Sequence, residues 1–134
     1  MKPKAIIFDI DWTLCELWDS ANPYNHDWEE VRIQFMYFIY AWLLKTDYCD
    51  IIILTWRKDK DYRKMTDAWL IHNSFFYDLL IMQLGSTAEK NHIFKEKELI
   101  KLQEQYDIIA MFDDNQDLIP VCKRLWIPLL HVNI

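Results

Sequence analysis

The stretch KAIIFDIDWTL, residues 4–14, decides how the chain is read. Residues 4–10 form a short apolar run rich in β-branched side chains, which predicts a strand buried on both faces. Asp9 and Asp11 close the run with two carboxylates one residue apart, and Trp12 sets the bulkiest side chain beside them. Two further runs resemble the first: DIIILT (50–55) and DIIAMFDD (107–114). LLIMQ (79–83) and IPLLHVNI (127–134) predict two more strands.

The intervening segments predict helices. Residues 27–46 are too long for a strand; Asp27 caps their start and acidic residues fill the first turn. Residues 60–74 place Met65, Trp69 and His72 on one helical face. Residues 86–106 open on Ser86 and Glu89, a capping-box pattern. Residues 115–125 predict a short helix that Pro120 kinks or delays. Alternating strands and helices imply an α/β fold, one domain over residues 1–134, with a mainly parallel five-stranded sheet covered on both faces. In such folds ligands bind outside the carboxyl ends of the strands.

Composition narrows the class. With 134 residues and 52% hydrophobic side chains, the chain predicts one compact domain rather than a disordered segment. No stretch offers the roughly 18 uncharged apolar residues of a membrane span, and the opening MKPKAIIFDIDW meets two aspartates too early for a secretory signal. Cys15, Cys49 and Cys122 are odd in number and lack metal-type spacing, so a reduced, cytoplasmic setting is expected. The net charge of −6 argues against nucleic-acid binding by global electrostatics and leaves room for a local basic patch. Oligomeric state is left open.

The polar residues collect at the expected strand ends: Asp9 and Asp11 after the first, Thr55, Trp56 and Arg57 after the second, Asp113 and Asp114 after the fourth. Parallel strands lie about 4.8 Å apart, so these ends can surround one small site. Carboxylates so gathered repel and raise one another's pKa. Mg²⁺ removes that conflict, because it prefers oxygen ligands and binds through one or two carboxylates plus substrate phosphate. One aspartate then serves as nucleophile towards phosphorus and another as general acid and base. The plain alternative, aspartates that cap helices or make turns, explains a single pair better than it explains this convergence.

At this point the residues match a family. Asp9-Ile-Asp11-Trp-Thr13-Leu14 resembles motif I of the haloacid dehalogenase (HAD) superfamily. Leu54-Thr55-Trp56-Arg57 resembles motif II, Lys95 fits motif III, and Phe112-Asp113-Asp114 resembles motif IV. Within the superfamily the chain is similar to the 3′-phosphatase domain of phage-type polynucleotide kinase-phosphatases, through KPKAIIFDID, DYRKMTDAWL, LLIMQ, KNHIFKEKE and DDNQDLIPVCKRLWIP. The resemblance implies a HAD-type Rossmannoid α/β/α sandwich and a phosphatase working through an aspartyl-phosphate on Asp9. It gives Asp11 the acid and base role, with its backbone carbonyl on the metal. Thr55 holds the phosphoryl oxygens, Lys95 neutralises nucleophile and phosphate, and Asp113 and Asp114 bind Mg²⁺ with Asp9 and Asp11. Thr13 and Arg57 fall to the substrate.

Two departures bear on substrate grip. Asn91 stands where the family has an aspartate four residues before its motif III lysine, and where the family has an arginine shortly before its Pro-Tyr, Pro23-Tyr24 follows Ser20, Ala21 and Asn22 with no cation among them. About forty residues separate the first two strands, room for a flap and no cap domain. By family resemblance, an open site suits a macromolecular end, so the expected partner is a nucleic-acid 3′ end; no kinase P-loop is present. Rival readings are a phosphatase for a nucleotide or sugar phosphate and a catalytically weak HAD-like binding module.

Other features divide between two readings. Lys90 is the alternative to Lys95. The segment RKDKDYRK (57–64) is a nucleic-acid backbone contact or a solvated helix start. Tyr37, Tyr40 and Trp42 are base-stacking or core residues. His26, His72, His92 and His131 show no ligand spacing.

The chain has 1 glycine and 7 tryptophans; an average composition of about 7% glycine would give roughly nine. Family members commonly carry glycine at the equivalents of Trp12, Trp56 and Trp126. One reading is a gene that uses UGA for glycine, written here as tryptophan. The other is that these positions tolerate bulk, with a narrowed mouth or an aromatic wall beside the nucleophile.

Overall fold

The computed structural model describes residues 1–15, 49–85 and 89–132. The helix expected over 27–46, with Tyr37, Tyr40 and Trp42, and the segment around Pro23-Tyr24 lie outside the described residues. Five strands, β1 (Lys4–Phe8), β2 (Cys49–Lys58), β3 (Leu79–Gln83), β4 (Asp107–Asp113) and β5 (Leu129–His131), alternate with α1 (Asp59–His72), α2 (Asn91–Gln105) and α3 (Leu118–Leu125). The sheet order is β3-β2-β1-β4-β5. Every pairing is parallel, with Phe8 level with Ile53 on one side and Phe112 on the other.

Period-two alternation sends β1 side chains to two cores. Ile6, Phe8 and Ile10 pack with Trp69 and Leu70 of α1, while Ala5 and Ile7 pack with Phe94, Leu99 and Leu102 of α2 and Leu118 and Val121 of α3. The described residues thus form three layers, α/β/α, as the sequence predicts, with no cap domain among them. Phe8 anchors the first core: its ring stacks on Phe112 at 4.7 Å and meets Phe75 edge-on at 5.5 Å.

Element ends move for identifiable reasons. β1 stops at Phe8 instead of residue 10 because the Ile10 carbonyl accepts from the N–H groups of Thr13, Leu14 and Cys15, curling the chain into a turn. β2 runs past residue 55 to Lys58, with Thr55 and Arg57 buried and Trp56 exposed. α2 begins at Asn91 after Lys90, without a side-chain cap bond, and not at the capping box; Ser86 lies outside the described residues. Pro120 delays α3 to Leu118, so that it occupies the first turn, where its missing N–H costs nothing. Residues 115–117 are taken by turns instead: Asn115 N–H donates to Asp113 Oδ1 and Asp117 N–H to Asn115 Oδ1. β5 covers only Leu129–His131 of the expected 127–134.

Candidate active site

The strand order reverses direction around β1, with β2 on one flank and β4 on the other, and such a switch point leaves a crevice at the carboxyl ends. Asp9 leaves β1 there, its N–H held by the Phe112 carbonyl of β4 at 3.0 Å. A cavity of about 460 Å³ opens above it, lined by Asp9, Asp11, Trp12, Thr55, Trp56, Arg57, Asn91, Asp114, Asn115, Gln116 and Asp117.

Beneath the cavity lies a buried cation. Lys95, at 0% exposure, places Nζ 2.6 Å from Asp113 Oδ2 and 3.1 Å from Asp9 Oδ1. Burial works against its ammonium, yet the carboxylates of Asp113 and Asp9 outweigh that and raise its pKa. Lys90, the alternative, is exposed.

One ammonium does not balance the carboxylates around it. Burial, then the charge of Asp113, pushes the Asp9 pKa well above the carboxylate range despite Lys95. Burial also raises that of Asp114, while a hydrogen bond to Asp9 opposes the rise. Ligand oxygens of Asp9, Asp113 and Asp114 all lie within 4.8 Å of one another. A surplus of negative charge on an all-oxygen donor set fits a hard divalent cation of the Mg²⁺ type.

The second motif I carboxylate sits apart from that trio. Asp11 accepts two hydrogen bonds from Arg57, Nε to Oδ2 at 3.0 Å and Nη2 to Oδ1 at 2.6 Å. Arg57 is 1% exposed and also donates from Nη1 to Thr66 Oγ1 of α1 at 3.0 Å. Burial opposes its charge, but Asp11 reverses the balance and raises its pKa. The family resemblance gives Arg57 to the substrate phosphate and gives Asp11 the acid and base role, with its backbone carbonyl on the metal; in the structure the Arg57 and Asp11 side chains bind each other.

Thr55, buried in the carboxyl-terminal half of β2, reaches the cavity, and its Oγ1 accepts the Arg57 N–H at 3.3 Å. Thr13 does not reach it: fully buried in the turn after β1, its Oγ1 has no hydrogen-bond partner among the described residues. Asn91 Oδ1 is likewise buried and unpartnered, one helical turn from Lys95 on α2 and at the cavity wall. Asn115, Gln116 and Asp117 were missed by sequence reasoning, though their place in the loop after a strand ending in Asp-Asp was a usable signal. Thr66, which braces Arg57, had none. Cys15 lies behind the site; burial pushes its thiol up to about 12, so it is an inert core residue.

A parallel sheet with these carboxylates at its switch point and a buried lysine from α2, the helix before β4, defines a HAD-type α/β domain. The match to known proteins is narrower. The family model for the polynucleotide kinase PNKP phosphatase domain matches residues 3–134, and the chain belongs to that family. Among solved structures it is similar to a chain of the Pnkp1/Rnl/Hen1 RNA repair complex, at a TM-score of 0.86 and 27% identity over 98% of this chain. A chain from a second Pnkp1/Rnl/Hen1 complex gives a TM-score of 0.84 and 28% identity over 98% of this chain. This chain spans 43% and 46% of those two chains. No curated protein matches it. Among the described residues, no helix is long and apolar enough to cross a membrane.

Proposed function

We propose that the chain is a Mg²⁺-dependent phosphomonoesterase that removes 3′-phosphates from polynucleotide ends through an aspartyl-phosphate on Asp9. The observation that carries this reading is the Asp9 carboxylate at the floor of an open cavity, held from below by a fully buried lysine and flanked by two further carboxylates. In the first step an Asp9 oxygen attacks phosphorus, the bond to the 3′ oxygen breaks, and Asp11 passes its proton to that oxygen. In the second step water attacks the phosphorus, Asp11 takes the proton of the water, and inorganic phosphate leaves as the Asp9 carboxylate is restored. The protons balance over the cycle.

Each neighbour has a part. Lys95 aims Asp9 and offsets its charge. Arg57 acts as a positioning residue, since a two-pronged hold on Asp11 fixes the acid and base in direction. The Thr55 hydroxyl and the Asn91 amide face the cavity where phosphoryl oxygens would lie. Asp9, Asp113 and Asp114 would hold Mg²⁺, which supplies Lewis-acid neutralisation of the phosphoryl group. One of the two solved neighbours comes from an RNA repair complex, which favours an RNA end.

The test is one panel: RNA and DNA oligonucleotides with a 3′-phosphate, the same with a 5′-phosphate, and free 3′-nucleotide, each with Mg²⁺ and with chelator. Turnover of 3′-phosphorylated oligonucleotide far above the rest supports the proposal. Preference for the free nucleotide moves the substrate class to small phosphates. Activity that survives Asp9→Asn refutes the mechanism.

A further inference from the structure

Three residues of the described chain have positive φ, namely Trp12 (62°), Ser74 (58°) and Trp126 (59°), and none of them is the single glycine. Positive φ is uncommon outside glycine, and where it occurs it is enriched in asparagine, aspartate and histidine, the first two having short polar side chains that bond locally. Tryptophan has no such device. Two of the four described tryptophans nonetheless adopt it.

The setting of Trp126 is the residue that ends α3. Its N–H donates to the Lys123 carbonyl, and the next N–H, of Ile127, reaches back to Cys122 at 2.9 Å. That pair of bonds is the Schellman motif, whose left-handed position is usually glycine because a Cβ there is penalised. The Trp126 side chain recovers nothing, at 92% exposure. Trp12 occupies a turn in which three successive N–H groups converge on the Ile10 carbonyl, and it is 40% exposed. Strain at Trp12 alone could belong to the active site. Trp126 lies at the other end of the sheet, near Met1, Lys2 and Asp107, so a catalytic cause cannot serve both. Trp69 is the contrast: negative φ, 1% exposed, packed in the core as an indole should be.

We propose that positions 12 and 126 are glycine in the protein the cell makes, both encoded by UGA read as glycine. The conformation of the two residues and their exposure share this one cause. Trp56 has no positive φ, and the proposal does not extend to it. The consequence for the site is direct: the indole of Trp12 leaves the wall beside Asp9 and Asp11, and the mouth widens.

The gene and the native protein test this. The codons at 12 and 126 are expected to be TGA, with TGG at 69. Peptides from the source cells that span residues 12 and 126 are expected at the mass of glycine. TGG at 12 or 126 overturns the proposal, and so does tryptophan in either native peptide. A second measurement uses purified chains: the Trp12→Gly/Trp126→Gly variant is expected to unfold at higher urea than the tryptophan chain, and an equal or lower midpoint overturns the proposal. These outcomes are independent of phosphatase activity.

Discussion

Replacing Lys95 with methionine keeps all but the last atom of the side chain's length and removes its charge. The ammonium is fully buried between Asp113 and Asp9, at 2.6 and 3.1 Å. Removing one partner of a buried ion pair costs about 3–5 kcal/mol, because the remaining charge is left uncompensated. Domain stabilities are about 5–15 kcal/mol, so the variant should lose a large part of its margin near pH 7 in urea unfolding. The pH dependence has a defined sign. Asp9 already has a raised pKa from burial and from Asp113, and it loses its cation in the variant. The native state then binds protons that the unfolded state releases, so stability falls as pH rises through the carboxylate range. The deficit should therefore shrink on acidification towards about pH 5 and be greatest at neutral pH. In the parent chain the Lys95 contribution is present below the ordinary lysine pKa of 10.5 and is lost only as pH passes its raised folded value. A double-mutant cycle with Asp113→Asn should be strongly non-additive, the second substitution recovering part of the first loss. A loss below about 1 kcal/mol, as a solvated surface pair would give, or a deficit that grows on acidification, refutes the account.

Arg57→Lys keeps a cation but loses the fork that grips both Asp11 oxygens; kcat on a 3′-phosphorylated oligonucleotide should fall by about 100-fold with KM little changed. A rise in KM alone would return Arg57 to the substrate. Asp114→Asn should raise the Mg²⁺ concentration for half-maximal turnover by at least about tenfold, and chelator should stop the parent enzyme reversibly. Phe8→Ala removes the ring stacked on Phe112 and meeting Phe75, and should cost about 3–5 kcal/mol of unfolding free energy in a urea titration without changing Mg²⁺ dependence in the folded fraction.

The fold was legible because its signals are local and repeated. Three β-branched runs ending in carboxylates or Thr-Trp-Arg have one economical arrangement, neighbouring parallel strands, and the sheet adopts it. Boundaries were less legible because tertiary bonds set them: three N–H groups on the Ile10 carbonyl end β1 early, and the Asp113 and Asn115 side chains claim the turn before α3. Lys95 could be separated from Lys90 only weakly by pattern. On a helix the two differ by more than one turn in place, and only the packing of α2 shows which enters the core. Thr13 shows the opposite case: a motif residue whose position beside the site on the chain does not bring it to the cavity.

The pairing of charges also constrains how a phosphate can be held. Of the cations nearest the cavity, Lys95 is engaged by Asp9 and Asp113 below the floor, and Arg57 is engaged by Asp11 and Thr66. Taking Arg57 away for a phosphoryl oxygen would leave the half-buried Asp11 without its two-pronged hold and the fully buried Thr66 without its donor, and an unmet hydrogen bond at a buried position costs about 1–3 kcal/mol. The phosphoryl charge is then best met by a cation at Asp9, Asp113 and Asp114, together with the Thr55 hydroxyl and the Asn91 amide. On the proposed function, such a site would need its metal for binding as well as for chemistry. Without Mg²⁺, a 3′-phosphorylated oligonucleotide should therefore bind no more tightly than its 3′-hydroxyl counterpart, and equal preference for the phosphorylated end in chelator and in Mg²⁺ would show that the protein cations hold the phosphate after all.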